Sequence, residues 1–160
     1  MLFRSNSLIW DGTPNEGIYN AEAVVHCEDK TQILNDEFYV GNPSVDILSI
    51  FSDKFILGEI SPIDAILKSN WNAKLNNVYL EFFVLDNSNK IIQTFKSPAT
   101  EINAKDIAEL RSYWETKGLF AGNYLINLIA YIDDLGTNQK SYKAEISERE
   151  LKLMDITGNV

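Results

Sequence analysis

The chain has 160 residues, 45% of them apolar and 11% aromatic, with a formal net charge of −9. That apolar content supplies a packed core and argues against global disorder, while the acidic excess, with no basic cluster to offset it, argues against binding nucleic acid or anionic lipid. A lone cysteine, Cys27, excludes an internal disulfide and a cysteine-rich zinc site, and no apolar run is long enough to cross a bilayer as a helix.

The opening residues MLFRS match what one frame of a common sequencing adapter encodes, and are left out of fold reasoning as an artefact fused to a partial reading frame. Met1–Trp10 holds one basic residue and no adequate apolar segment, so no signal peptide is visible in it. A strand is predicted over 4–10, ending in Trp10. The next run, 18–28, alternates: Tyr19, Ala21, Ala23, Val25 and Cys27 share the phase expected to face a core, and Asn20, Glu22, Val24 and His26 share the other. A strand over 31–40 follows, and Gly41-Asn42-Pro43 reads as a junction between units.

Strands are then predicted over 45–56 and 60–71, the second with Ile63, Ala65, Leu67 and Trp71 in phase. Over 77–86 the inward set is Val78, Leu80, Phe82 and Val84. Asp86-Asn87-Ser88-Asn89 is a turn leading into 90–97, because Asn and Asp tolerate tight backbone angles. Ala104–Trp114 fits a helix capped by Asn103, or a strand with Ala108, Leu110, Ser112 and Trp114 on one face; the strand is preferred because its neighbours are strands. A strand is predicted over 122–133; within it Tyr124–Ile132 is apolar on both phases, interrupted by Asn127, which predicts a central strand covered on both sides. Asp133–Asn138 reads as a hairpin loop, 138–147 as a strand with Tyr142, Ala144 and Ile146 inward, and Ser147–Met154 as either a strand extension or a short helix. Regular short strands separated by such turns predict an all-β, antiparallel sandwich.

Two stretches repeat one pattern. Trp10 precedes Gly17-Ile18-Tyr19 as Trp114 precedes Gly122-Asn123-Tyr124, and each Gly-x-Tyr opens a long strand, a turn and a last strand. The glycines would let the chain bend, the tryptophans would fill the sandwich end, and each tyrosine would hold its loop through a hydroxyl bond to backbone. On these residues, with "SNWNAKLNNVYLEFFVLDNSNKIIQTF" and "YWETKGLFAGNYLINLIAYID", the sequence resembles immunoglobulin-like domains of the CARDB and NEW3 type from archaeal and bacterial surface proteins. The resemblance covers Val45–Ile146 as a complete unit and Ser7–Gly41 as the closing strands of a preceding one. It implies residues 1–41 as the C-terminal part of a first immunoglobulin-like unit, 43–147 as a whole domain and 148–160 as an extension or linker. The chain is then a fragment of a tandem array on a cell-surface or secreted protein, with neighbouring domains as partners and other surface proteins or glycans as further candidates. Its role would be spacing, adhesion or assembly. Ser7–Gly41 is expected to be the less stable part, since three strands cannot cover their own apolar face.

The sequence holds no catalytic motif. His26 and Cys27 are adjacent in a strand and point to opposite faces, so they cannot act on one centre; a surface histidine beside a buried cysteine is expected. Acidic pairs stand at Glu28-Asp29, Asp36-Glu37 and Asp133-Asp134. Asp133, Asp134, Thr137 and Asn138 could give calcium some oxygens, but a solvated hairpin is the preferred reading because no calcium-loop spacing is present. Trp71, Trp114 and Tyr131 are sugar-stacking candidates by type, although their phases favour packing. No catalytic, cofactor or metal residue is therefore assigned. The expected function is a non-catalytic, immunoglobulin-like structural or interaction segment. The principal alternative is a carbohydrate-binding or accessory domain of a secreted hydrolase; a catalytic domain and an intracellular inhibitor with a similar sandwich are weaker rivals.

Overall fold

The computed structural model describes residue 12, residues 14–27 and residues 29–156. The strand expected over 4–10, Trp10 and the chain end beyond residue 156 lie outside the described residues. Eleven strands follow one another: β1 (Gly17–Cys27), β2 (Lys30–Val40), β3 (Val45–Phe51), β4 (Ile60–Ser69), β5 (Leu75–Leu85), β6 (Ile91–Lys96), β7 (Thr100–Ile102), β8 (Ile107–Glu115), β9 (Gly122–Ile132), β10 (Leu135–Ile146) and β11 (Leu151–Asp155). The described residues are all-β, and every strand pairing is antiparallel. The chain divides into two compact units, Met1–Gly41 and Asn42–Val160.

In the first unit β1 and β2 form a two-stranded ribbon, with Gly17 opposite Val40 and Cys27 opposite Lys30. Tyr19 stacks on Phe38 at 6.0 Å between ring centroids, and Tyr39 donates a hydrogen bond to Glu16. The phase expected to face a core does not do so: Ala21, Ala23, Val25 and Cys27 are all exposed. Leu34, opposite Ala23, is 50% exposed, and Ile33, opposite Val24 on the other phase, is 57% exposed. Cys27 is thus a surface thiol and not a buried one, because a two-stranded ribbon carries no second layer of its own.

In the second unit two sheets enclose one core. The smaller has the order β3-β4-β8; the larger runs β11-β10-β9-β5-β6, with β7 also paired to β5. Alternation places Val78, Leu80, Phe82 and Val84 of β5 and Ile63, Ala65 and Leu67 of β4 fully inside, as the period-two pattern requires. β8 is a strand and not a helix, with Leu110, Ser112 and Trp114 on its buried phase. Trp114 joins the sheets: it lies 5.9 Å from Phe95 of β6 and 5.9 Å from Phe55, and Phe95 stacks on Phe82 at 4.5 Å. Its indole N–H donates to Gln93 Oε1 at 2.7 Å, so the buried polar edge is satisfied.

Ser147–Met154 resolves in favour of a strand: β11 pairs with β10 from Tyr142 opposite Asp155 to Ile146 opposite Leu151. β7 is a three-residue strand that the sequence reading missed. The β9–β10 connection is tighter than expected. Asp133 and Asp134 alone make the turn, both with positive φ, and the strand resumes at Leu135 with a bulge at Gly136/Asn138. Among the described residues no helix is long and apolar enough to cross a membrane.

Candidate functional site

The residues singled out for chemistry do not come together. His26 pairs its Nδ1 with Thr31 Oγ1 at 3.0 Å on the ribbon, on the face opposite Cys27. Asp134 Oδ1 accepts from the Tyr79 hydroxyl at 2.9 Å, while Asn138 donates to Asp46 at 2.9 Å, so the β9–β10 turn residues diverge. Among the described residues no three His, Cys, Asp or Glu side chains converge as a metal would need. Trp114 is fully buried, which removes it as a sugar platform, and Trp71 is half-buried, packed against the core. The most buried acid, Asp64 on β4, is clamped by Arg111 of β8 through bonds of 2.7 and 2.9 Å. That pair is a cross-strand brace between directly opposed residues, and it raises the Arg111 guanidinium above its ordinary range.

Both Gly-x-Tyr repeats build the same device. Tyr124 donates to the Phe120 carbonyl at 2.9 Å, and Tyr19 donates to the Asn15 carbonyl at 2.8 Å, four residues upstream in each case. Each hydroxyl bond pins the approach to a long strand, as a tyrosine corner does.

Among the described residues no further layer of the second unit covers the outer face of the larger sheet. β9 is central, as expected, between β10 and β5. It is not covered on both sides: Ile126, Leu128 and Ala130 are buried, whereas Leu125, Asn127, Ile129 and Tyr131 are only half-buried. The register aligns them in rows: Tyr79, Tyr131 and Gly136; then Glu81, Ile129 and Gln139; then Phe83, Asn127 and Ser141; then Leu85, Leu125 and Lys143. Leu85 is buried yet stands apart from the core cluster, as expected for a side chain on this face.

One end of the face is a tied aromatic pair. Tyr79 and Tyr131 stack at 5.0 Å and 6°. The Lys96 ammonium lies 5.1 and 5.9 Å from their ring centres and 3.6 Å from Glu81. The hydrogen bond to Asp134 pushes the Tyr79 phenol up to about 12. Burial first, and then the charge and hydrogen bond of Glu81, raise the Tyr131 phenol. At the other end a cavity of about 480 Å³ has a floor including Leu125 and Ala144 and a rim of Asp86, Asn87, Asn123 and Glu145. Asp86 holds that rim: its Oδ1 accepts from Ser88 N at 2.8 Å, Ser88 Oγ at 2.6 Å and Lys90 N at 3.1 Å, and these bonds keep the carboxyl below its ordinary range. Between the ends lie hollows of about 320 Å³ around Phe83 and Asn127 and about 400 Å³ beside Tyr131 and Gly136. In the middle, the Asn127 Oδ1 is occluded and has no hydrogen-bond partner among the described residues. Asn127 was visible in the sequence as the polar interruption of the apolar run Tyr124–Ile132.

No family model and no curated protein matches the chain. Among solved structures it is similar to the Pseudomonas fluorescens alkylpurine DNA glycosylase AlkC bound to abasic-site DNA. That match has a TM-score of 0.43 and 12% identity, over 63% of this chain and 30% of that one. It is also similar to the C-terminal domain of wzt, at a TM-score of 0.48 and 12% identity, over 74% of this chain and 80% of that one.

Proposed function

We propose that the chain is a non-catalytic, immunoglobulin-like interaction segment of a larger cell-surface or secreted protein, and that its contact surface is the outer face of the β11-β10-β9-β5-β6 sheet. The observation that carries this reading is the half-buried, partly apolar face along β9, which lies outside the core and over which the described residues of its own unit place no layer. Strand order supports the immunoglobulin-like assignment. β10-β9-β5-β6 facing β3-β4-β8 follows the order in which such sandwiches set one sheet against the other, and Tyr124 occupies the tyrosine-corner position at the start of the corresponding strand. The β1–β2 ribbon, opening on the same Gly-x-Tyr device, then corresponds to the last hairpin of a preceding unit. The resemblance to CARDB and NEW3 domains supports the surface location, with neighbouring domains of the same parent as partners. The braces and turns that use Asp64, Asp86 and Asp134 support the absence of catalysis, because each acid already has a structural role.

The test is the reading frame on either side of this segment in its source DNA. An export signal upstream and further Gly-x-Tyr units in the same frame are expected. A frame with neither would contradict both the location and the tandem arrangement.

A further inference from the structure

We propose that the outer face of the larger sheet is a groove for a linear, uncharged glycan running along β9; this rests on the reading of that face as the contact surface. The outward side chains of β9, Asn123, Leu125, Asn127, Ile129 and Tyr131, pass in turn through the three hollows on this face. Eight residue steps of an extended strand make that track about 27 Å long. Its composition alternates. Leu125, Ile129 and the Tyr131 ring are apolar; the amide of Asn127 stands between Leu125 and Ile129, and that of Asn123 at the end before Leu125. On the flanking strands Phe83 lies opposite Asn127, and Gln139 lies opposite Ile129.

A sugar ring presents apolar C–H faces and a girdle of hydroxyls, which is the chemistry such an alternation recognises. Apolar side chains take the ring faces, and amides both donate to and accept from hydroxyls. Asn127 strengthens the case, because its occluded carbonyl oxygen has no partner among the described residues. A buried polar group left unsatisfied is costly, and a small turn of that side chain would give the amide a hydroxyl partner in the hollow it lines.

Charge selects among glycans. Glu81 is paired with Lys96, and Glu145 lies next but one to Lys143 on the same face of β10. The face has no one-signed patch, and the chain carries a net charge of −9, so a polyanionic glycan is disfavoured. An extended peptide fits less well. Peptides that join sheets do so at an edge, through main-chain bonds. β9 is flanked by β10 and β5 along its length, so its backbone is already engaged in the ladders.

The experiment is an amide and side-chain NMR titration of the full chain with neutral linear hexasaccharides: cellohexaose, mannohexaose, xylohexaose and chitohexaose. Oligogalacturonate and a random extended decapeptide mixture serve as rival probes. At least one neutral hexasaccharide is expected to shift the Asn127 side-chain amide and the backbone amides of Phe83, Leu125 and Gln139. Asn127→Ala and Gln139→Ala should each weaken that binding at least tenfold while the rest of the spectrum is retained; Gln139 is exposed, so its variant keeps the test valid if Asn127→Ala disturbs folding. Shifts confined to other surfaces, or binding insensitive to both variants, would overturn the proposal. Response of this face to the peptides or to oligogalacturonate alone would overturn the neutral-glycan inference and leave the interaction surface standing. Silence toward every probe would remove the glycan inference, whereas the interaction reading is judged separately by its flanking reading frame.

Discussion

Gly122 stands at φ +153°, where side chains with a Cβ are rarely found, at the point where the chain turns into β9. Gly17 holds the equivalent place before β1, but its φ is not positive and an added Cβ would meet only Tyr19 at an ordinary 3.8 Å. The sequence expectation that both glycines serve a bend therefore holds for the second alone. Gly122→Ala should lower stability by at least about 1 kcal/mol, and Gly17→Ala should leave it nearly unchanged, both read as shifts in urea midpoint of the full chain. Tyr124→Phe keeps the ring and removes one hydroxyl bond to the Phe120 carbonyl, so a loss of about 1 kcal/mol is expected in the same measurement. Tyr79 gives a pH signature. Its phenol is raised from its ordinary value of 10 to about 12 in the folded chain, because the neutral hydroxyl donates to Asp134. A folded-state value above the unfolded one gives stability that is complete below pH 10 and lost as pH rises toward 12. Tyr79→Phe should therefore lose less stability between pH 10 and 12 than the native chain, as followed by circular dichroism during urea unfolding at each pH.

Among the strands, those with one buried phase could be read directly. β5 alternates cleanly, so Val78, Leu80, Phe82 and Val84 were placed inward from spacing alone, whereas the spacing of β8 also fitted a helix and Leu110 and Trp114 were placed by the strands on either side. Three features could not be read this way. β7 is only Thr100–Ile102, too short for any period to register. β9 is apolar on both phases, and periodicity cannot distinguish a covering layer from shielding by neighbours in the same sheet; the candidate face was hidden for that reason. Asp64, between Ile63 and Ala65, reads as a solvent-facing acid, yet it is 1% exposed because Arg111, 47 residues away, clamps it. Lys140 was equally invisible. Its ammonium reaches the carbonyls of Ile47 and Leu48, both at 3.0 Å, and Asp155 at 2.8 Å, tying β10 of the larger sheet to β3 of the smaller. Lys140→Met would leave the Ile47 and Leu48 carbonyls without this donor and should cost about 2 kcal/mol. Trp114→Ala empties the centre of the aromatic stack between the sheets and should cost about 3–5 kcal/mol, again measured by denaturant unfolding.

For the whole molecule, sequence alone indicated an all-β chain with a break near Gly41-Asn42-Pro43, and the compact units divide between Gly41 and Asn42. The two units differ in what they bury. Asn42–Val160 has a single cluster built from both of its sheets, including Trp114, Phe82, Ile63 and Leu67. The β1–β2 ribbon leaves Ile18, Val24, Val25, Ile33 and Leu34 in solvent, the condition in which hairpins are marginal. The central claim is that one closed core is built within the second unit, and that the described ribbon builds none of its own. Hydrogen-exchange mass spectrometry on the full chain tests this most directly. Peptides from β4, β5, β8 and β9 should exchange together and slowly, in one cooperative step, while peptides from β1 and β2 should exchange orders of magnitude faster. A ribbon as well protected as β5, or a β8 that exchanges as fast as the ribbon, would contradict it.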